Sequence, residues 1–208
     1  MPKETFFRLR DDKQERILRA AIHEFVENGF DRAKIGDIAQ NANVATGSIY
    51  QYFKDKKELF VYCAEWGLQV LYKKLNERMN IGDMDIFEYL QEYMANVEVM
   101  DKDRELILFM QLMAKEPGLK DDSMKAMYNV GGAYGKKLLQ NSKRRGKVRT
   151  DIDDDLLMEY FTAVAERFGL RWMNRYWDFV TEMTEEQSRT IQKELTQMLE
   201  LLKKGMGC

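Results

Sequence analysis

Apolar residues recur every three or four positions along almost the whole chain, which is the spacing of amphipathic helices. No stretch alternates apolar and polar residues in the way that a half-buried strand does. Clusters of Gly, Pro and charged residues divide the pattern into about nine segments. We therefore predict an all-α fold with helices over 12–28, 35–42, 45–52, 56–79, 84–100, 103–114, 122–143, 151–178 and 184–204.

Two of these predicted helices are short and are separated by only a few residues. The first carries a single apolar stripe, which Asn41 and Asn43 interrupt. Asn is one of the few residues besides Gly that tolerate a positive φ. The second begins at Ala45 with small polar residues, and its Ile49 can face inward. This pattern predicts a helix-turn-helix, whose second helix enters the major groove of DNA. By periodicity alone, an ordinary pair of core helices fits equally well.

The residue types in this region carry a more specific signal. Four segments follow in a fixed order and spacing: Gly29-Phe30-Asp31, Ile35-x-x-Ile38-Ala39, Val44-x-x-Gly47-Ser48-Ile49-Tyr50-x-Tyr52-Phe53 and Lys56-x-x-Leu59-Phe60. This series resembles the DNA-binding headpiece of the TetR (tetracycline-repressor) family. The resemblance implies a three-helix helix-turn-helix headpiece over residues 1–54. It also implies a larger helical domain for ligand binding and dimerisation over residues 55–208.

The same resemblance implies which residues contact double-stranded operator DNA. Tyr52 and Lys56 would clamp the phosphate backbone. The chain departs from the family where Ala33-Lys34 replaces a Thr pair, where Asn43 replaces a common Gly, and where Ala45-Thr46 replaces a common Ser-Lys. Lys34 would then replace a hydroxyl contact with a charged one. The implied DNA-binding residues are Lys34, Ala45, Thr46, Gly47, Ser48, Tyr50, Gln51, Tyr52 and Lys56.

Residues with known preferences for helix ends predict several boundaries. Asp12 with Glu15 can form a capping box at the start of the first long helix. Gly29 suits the residue just after that helix, where φ is often positive. Asp31 can cap the next helix. A second capping box is predicted from Asp55 and Glu58.

Residues 1–11 carry three cations around Phe6 and Phe7. Two interpretations are open for this segment. It can be a frayed terminus, or it can be a basic arm close to DNA, as in other helix-turn-helix proteins.

Aromatic and methionine residues are common in the middle of the chain. Each one can belong to an ordinary helical core. Together they can also line an apolar cavity with a few polar groups, which is the usual composition of a small-molecule site. The sequence does not identify this ligand. The predicted ligand-binding residues are Tyr62, Trp66, Tyr89, Tyr93, Glu105, Phe109, Met110, Met113 and Tyr128.

The last two predicted helices each carry an apolar stripe. Such a pair can complete a core or form half of a four-helix dimer interface, and the resemblance implies a homodimer. Twofold symmetry would let two headpieces read two half-sites. The predicted dimerisation residues are Phe161, Phe168, Trp172, Leu195, Met198, Leu199 and Leu202.

Composition narrows the class of protein. The chain has 208 residues and a net charge of −2, with Cys63 and Cys208 as its two cysteines. We expect a cytoplasmic protein with no membrane partner, because no long apolar run is present. We expect neither an enzyme, a cofactor nor a metal, because His23 is the only histidine and no phosphate-binding loop is present. We expect His23 itself to be an exposed helix residue.

The function implied by the resemblance is a ligand-responsive transcriptional regulator. It would be a repressor that a small apolar or amphipathic molecule releases from a palindromic operator. The alternative is a DNA-bound architectural or cell-cycle protein on the same scaffold that has no small-molecule inducer.

Overall fold

The computed structural model describes residues 1–79, 81–95, 104–116, 118–176 and 184–208. These residues form an all-α fold, as predicted, and contain no strand apart from one isolated bridge between Val148 and Gly207. None of the helices described is both long and apolar enough to cross a membrane. The helices are α1 (Glu4–Phe7), α2 (Asp11–Arg32), α3 (Ile35–Asn41), α4 (Thr46–Tyr52), α5 (Lys56–Met79), a 3-10 turn (Ile81–Asp83), α6 (Ile86–Ala95), α7 (Arg104–Lys115), α8 (Lys120–Arg144), α9 (Asp154–Tyr176) and α10 (Glu185–Met206).

The chain divides into two compact units. The first comprises Met1–Tyr72 with Met100–Gly131, and the second comprises Lys73–Val99 with Gly132–Cys208. The predicted headpiece, residues 1–54, lies wholly within the first unit. Its boundary at residue 54 stays a prediction.

The core of the first unit is built on the buried face of α2. Ile17, Leu18 and Ala21 are fully buried there, as the apolar stripe predicts. At the other end of this face, the Phe25 ring lies 4.9 Å from Phe60 of α5 and 6.1 Å from Phe109 of α7, measured between ring centroids. Buried aromatic side chains thus join α2 to α5 and α7.

Gly67 of α5 lies against side chains of α7. A Cβ atom at this position would lie 2.8 Å from Leu106 Cδ1 and 2.8 Å from Met110 Cε. These distances are shorter than van der Waals contact, so a side chain at this position would require the flexible ends of Leu106 and Met110 to move.

The second unit is held together by buried polar bonds as well as by its core. Ser142 Oγ accepts a hydrogen bond from the backbone N–H of Ile86 at 2.8 Å. Asn141 Nδ2 donates to the carbonyl oxygens of Gly82 and Met84 at 2.9 and 3.1 Å. These bonds tie the end of α8 to the start of α6. The apolar side chains buried in this unit include Ile86, Leu90, Leu138, Leu139, Leu157, Ile191, Met198, Leu199, Leu202 and Met206.

Candidate nucleic-acid interface

The turn between α3 and α4 has the geometry that the sequence predicts. Asn43 has a φ of 53° and is the only residue besides Gly with a positive φ in the described part of the chain. Its N–H donates to Gln40 O at 3.0 Å, and Val44 N donates to Ala39 O at 2.9 Å. The chain therefore leaves α3 in a tight turn and enters α4 at once.

One face of α4 is buried and the other is open to solvent. Ile49, which is predicted to face inward, is almost fully buried, and so is Phe53 just after the helix. On the opposite face Ala45, Thr46 and Gly47 are exposed, as is Gln51 further along, and Ser48 is half-buried. Tyr50 is 51% exposed, which is high for a large aromatic residue. The structure therefore displays small polar groups at the N-terminal end of α4, where a recognition helix meets base edges.

Lys34 lies exposed at the start of α3, and a buried carboxylate anchors its backbone. Glu24 of α2 is 6% exposed, and its Oε1 accepts a hydrogen bond from Lys34 N at 3.0 Å. The predicted cap by Asp31 is wrong, because Glu24 takes this N–H and no side chain caps α3 from the preceding residues. The Lys34 ammonium forms no ion pair within the part of the chain that the structure describes.

Lys56 and Tyr52, the predicted phosphate clamps, are engaged by the protein itself. Lys56 Nζ donates to the carbonyl oxygens of Asp31 and Ala33, both at 3.0 Å, and lies 4.7 Å from the Phe30 ring centroid. An ammonium has three N–H groups, so one remains for another acceptor. Tyr52 is only 7% exposed. Contact of either residue with a phosphate stays a prediction.

The N-terminal residues are neither frayed nor a free arm. They form α1, which lies against α4, and Phe6 is fully buried. Lys3 and Thr5 together donate three hydrogen bonds to the last carbonyl oxygens of α4. The interpretation of residues 1–11 as a frayed terminus is therefore wrong, and the proximity of this segment to DNA stays a prediction. An aromatic pair within a polar segment was the one sequence signal for this docking.

The predicted ligand-binding residues fall into several different environments. Phe109, Met110 and Met113 are buried in α7. Trp66 lies under the Arg19 guanidinium, 5.3 Å from ring centroid to Cζ. Tyr128 is 49% exposed. Tyr89 is buried within the second unit, and the Tyr93 side chain lies outside the described residues.

Two further predicted ligand residues have clear local partners. The Tyr62 ring makes edge contacts with Phe6 at 5.7 Å and Phe7 at 6.1 Å. Burial, with smaller contributions from the charges of Glu65 and Cys63, raises the pKa of Tyr62 to about 12. Glu105 Oε1 lies 2.6 Å from Nδ1 of His23, which is exposed as predicted. A ligand role for either residue stays a prediction.

The predicted dimerisation residues also separate by burial. Met198, Leu199 and Leu202 are buried within the chain itself, so their side chains already have partners. Phe161, Phe168 and Leu195 are partly exposed, and the Trp172 side chain lies outside the described residues. Among the side chains of α9 and α10 that the structure describes, the most exposed large apolar ones are Leu156, Tyr160 and Leu201.

The helix-turn-helix region matches a known family. Residues 17–63 match the model described as "Bacterial regulatory proteins, tetR family". An "Uncharacterized HTH-type transcriptional regulator YvdT" from Bacillus subtilis is 38% identical over 90 residues, which are 43% of each chain. The "Probable acrEF/envCD operon repressor" of Escherichia coli is 27% identical over 194 residues, covering 83% of this chain and 81% of that one.

A solved structure extends the similarity of fold to most of the chain. FadR from Bacillus subtilis, in complex with stearoyl-CoA, has a TM-score of 0.65 and 19% identity, and the match covers 92% of this chain and 98% of FadR. The geometry of α3 and α4 agrees with the family match over residues 17–63. The alignment with the operon repressor and the fold shared with FadR extend over most of the chain. Residues 17–63 of this chain thus form a helix-turn-helix region of the tetR family of bacterial regulatory proteins.

Proposed function

We propose that this protein is a ligand-responsive repressor that binds a palindromic DNA operator as a homodimer. The observation that carries this proposal is the exposed polar face of α4; Lys34, at the start of α3, is exposed as well. The side chains of this face have the chemistry of a major-groove reading surface.

The side chains of this face have distinct expected roles. Gln51 can bond the N6 and N7 edge of an adenine in a bidentate manner, and the Thr46 hydroxyl can bond a base or a phosphate. Gly47 lets the backbone approach the DNA closely. Lys34 supplies a charge for a phosphate, which adds affinity without sequence preference.

A dimer would present two copies of α4 to one operator. Half-sites read by a twofold dimer lie roughly 34–36 Å apart along the duplex. The exposed Leu156, Tyr160 and Leu201 support an interface on α9 and α10, because a second copy would remove this apolar surface from water. The buried Met198, Leu199 and Leu202 would support that interface from beneath.

Ligand response is supported by the packing of α7 against α2 within the first unit. Phe109 of α7 contacts the Phe25 and Phe60 rings, and Glu105 of α7 contacts His23 of α2. A molecule that shifts α7 would therefore act directly on α2. FadR, which shares this fold, was solved with stearoyl-CoA, so an amphipathic acyl molecule is the first class to test. Release requires that the ligand bind the two states with different affinity.

The test begins with selection of duplexes from random DNA, which gives the half-site, the spacing and the symmetry together. Fluorescence anisotropy then measures the affinity of variants for the selected duplex. Gln51→Ala is expected to weaken binding by about 5- to 150-fold and to relax specificity at one position in each half-site. Lys34→Ala is expected to weaken binding to all duplexes and to reduce the salt slope by about one per subunit.

Gln69→Ala is the matched control, because Gln69 is an exposed glutamine on α5 to which no contact with DNA, ligand or partner is assigned. It should bind as the wild type does. Stearoyl-CoA added to the wild-type complex is expected to lower the anisotropy. Absence of any enriched duplex would refute the DNA-binding proposal. An enriched duplex that no acyl-CoA releases would refute the proposed ligand class alone.

A further inference from the structure

The C-terminal end of α4 is capped from a distant part of the chain. The last four carbonyl groups of a helix have no partner within it. In α4, Ile49 O accepts from Phe53 N at 2.8 Å. The next three carbonyls all accept from residues near the N-terminus: Tyr50 O from Lys3 Nζ at 2.8 Å, Gln51 O from Thr5 Oγ1 at 2.6 Å and Tyr52 O from Lys3 N at 2.8 Å.

Residues 3–7, here called the N-terminal strap, are themselves firmly anchored. The Phe6 ring is fully buried and lies 4.9 Å from the Phe53 ring and 5.7 Å from the Tyr62 ring. The strap therefore connects the end of α4 to the Tyr62 side chain of α5. Its hydrogen bonds are held in place by a buried anchor and not by exposed side chains alone.

The recognition helix needs such support because it is very short. It has seven residues, and Ala45 at its start offers no side chain to cap it. Isolated helices shorter than about 12–15 residues are marginal in water. Lys3 also places a positive charge at the negative end of the helix dipole, which favours the helical state.

We propose that the N-terminal strap positions the recognition helix for DNA reading without touching DNA itself. Thr5 and Lys3 are the positioning residues, since they bond the backbone carbonyls of the last turn of α4, the turn that carries the Gln51 side chain. Loss of the hydrogen bond from Lys3 or from Thr5 loosens the last turn of α4. A smaller fraction of the protein molecules then holds α4 in the conformation that reads DNA. This inference rests on the proposed function, because it concerns the affinity for the operator.

Thr5→Val is the sharpest variant, because valine keeps the shape of threonine and removes only the hydroxyl. Its affinity for the selected duplex is expected to fall by about 3- to 10-fold, the usual effect of one lost hydrogen bond. Its affinity for a scrambled duplex of the same length, and the salt slope of both, should stay unchanged. Thr5→Ser restores the hydroxyl and is expected to bind within about twofold of the wild type.

Lys3→Met separates positioning from direct phosphate contact. If Lys3 acts by positioning α4, the affinity of Lys3→Met for the selected duplex should fall while the salt slope stays unchanged. A phosphate contact predicts a slope that falls by about 0.9 per subunit, together with weaker binding of the scrambled duplex. The second result would overturn the proposal.

Hydrogen exchange of the free protein tests the strap without DNA. The backbone N–H groups of Tyr52 and Phe53 should exchange faster in Thr5→Val than in the wild type, and at the wild-type rate in Thr5→Ser. Equal rates in Thr5→Val and the wild type would overturn the proposal. If the wild type binds no duplex, the proposed function fails, while the exchange rates still show whether the strap holds α4.

Discussion

We predict that the buried carboxylate of Glu24 stabilises the helix-turn-helix. Its Oε1 accepts the Lys34 N–H at the start of α3, and the side chain is 6% exposed, so water cannot take its place on that side. A hydrogen bond to a charged group contributes about 1.5–3 kcal/mol. Glu24→Ala should therefore lower the free energy of unfolding by about 2 kcal/mol. In a chain of this size, that corresponds to a decrease in Tm of about 4–8 °C.

Urea unfolding followed by far-UV circular dichroism measures this loss as a shift of the midpoint at constant m. Glu24→Gln keeps a neutral acceptor of the same length, so its loss should be intermediate, about 1 kcal/mol. Glu27→Ala is the control, because Glu27 is exposed on the same helix and should change the stability by less than about 0.5 kcal/mol. If Glu24→Ala is no less stable than Glu27→Ala, the cap contributes nothing and the argument is refuted.

Two further predictions concern aromatic residues of the first unit. Burial holds the pKa of Tyr62 at about 12, above its ordinary value of 10.0, so the stability that it contributes is complete below about pH 10 and is lost as the pH rises towards about 12. Urea midpoints should therefore fall more steeply over this range in the wild type than in Tyr62→Phe, and parallel curves would contradict the prediction. Phe109→Ala should lower the free energy of unfolding by about 3–5 kcal/mol, because the Phe109 ring is fully buried. Tyr128→Ala, at an exposed site, should lower it by less than about 0.5 kcal/mol. A Phe109→Ala protein of wild-type stability that has lost its ligand response would instead assign this ring to a pocket wall.

The elements that could be predicted are those that depend on neighbouring residues. Gly29 has a φ of 70°, and Asn43 has a φ of 53°, so both act as the left-handed positions that their residue types suggest. Asp55 Oδ1 caps α5 by accepting from Glu58 N at 2.8 Å. The helices themselves could be predicted for the same reason. The apolar stripe of a helix is visible in neighbouring residues, although the surface that it packs against lies elsewhere in the chain.

Two of the predicted helix caps do not form. The predicted capping box of Asp12 and Glu15 is wrong, because α2 begins at Asp11 and the Asp12 carboxylate instead pairs with Arg10 at 2.7 Å. The cap of α3 comes from Glu24, ten residues earlier, and not from the neighbouring Asp31. No local rule identifies which of many acidic residues will reach a given N–H, since the choice is made by packing.

In the candidate site, too, some residues could be placed from the sequence and others could not. The exposed residues of α4 follow from its helical period, so Thr46 and Gln51 could be placed outward. The Lys56 ammonium could not be placed, because the carbonyls of Asp31 and Ala33 that bind it belong to the end of another helix. The exposed residues proposed to read DNA are thus more predictable from the sequence than the residues that hold them in place.

The dependence of α3 and α4 on distant contacts bears on how a ligand could control them. Each has seven residues, too few for a stable isolated helix. Glu24 of α2 holds the start of α3, and the same helix contacts α7 through Phe25 and His23. A displacement of α7 would thus reach the start of α3 through neighbouring residues of α2, without passing through a loop. Because packed cores switch between discrete arrangements rather than deform continuously, a small shift at α7 would be enough to change how the headpiece is presented.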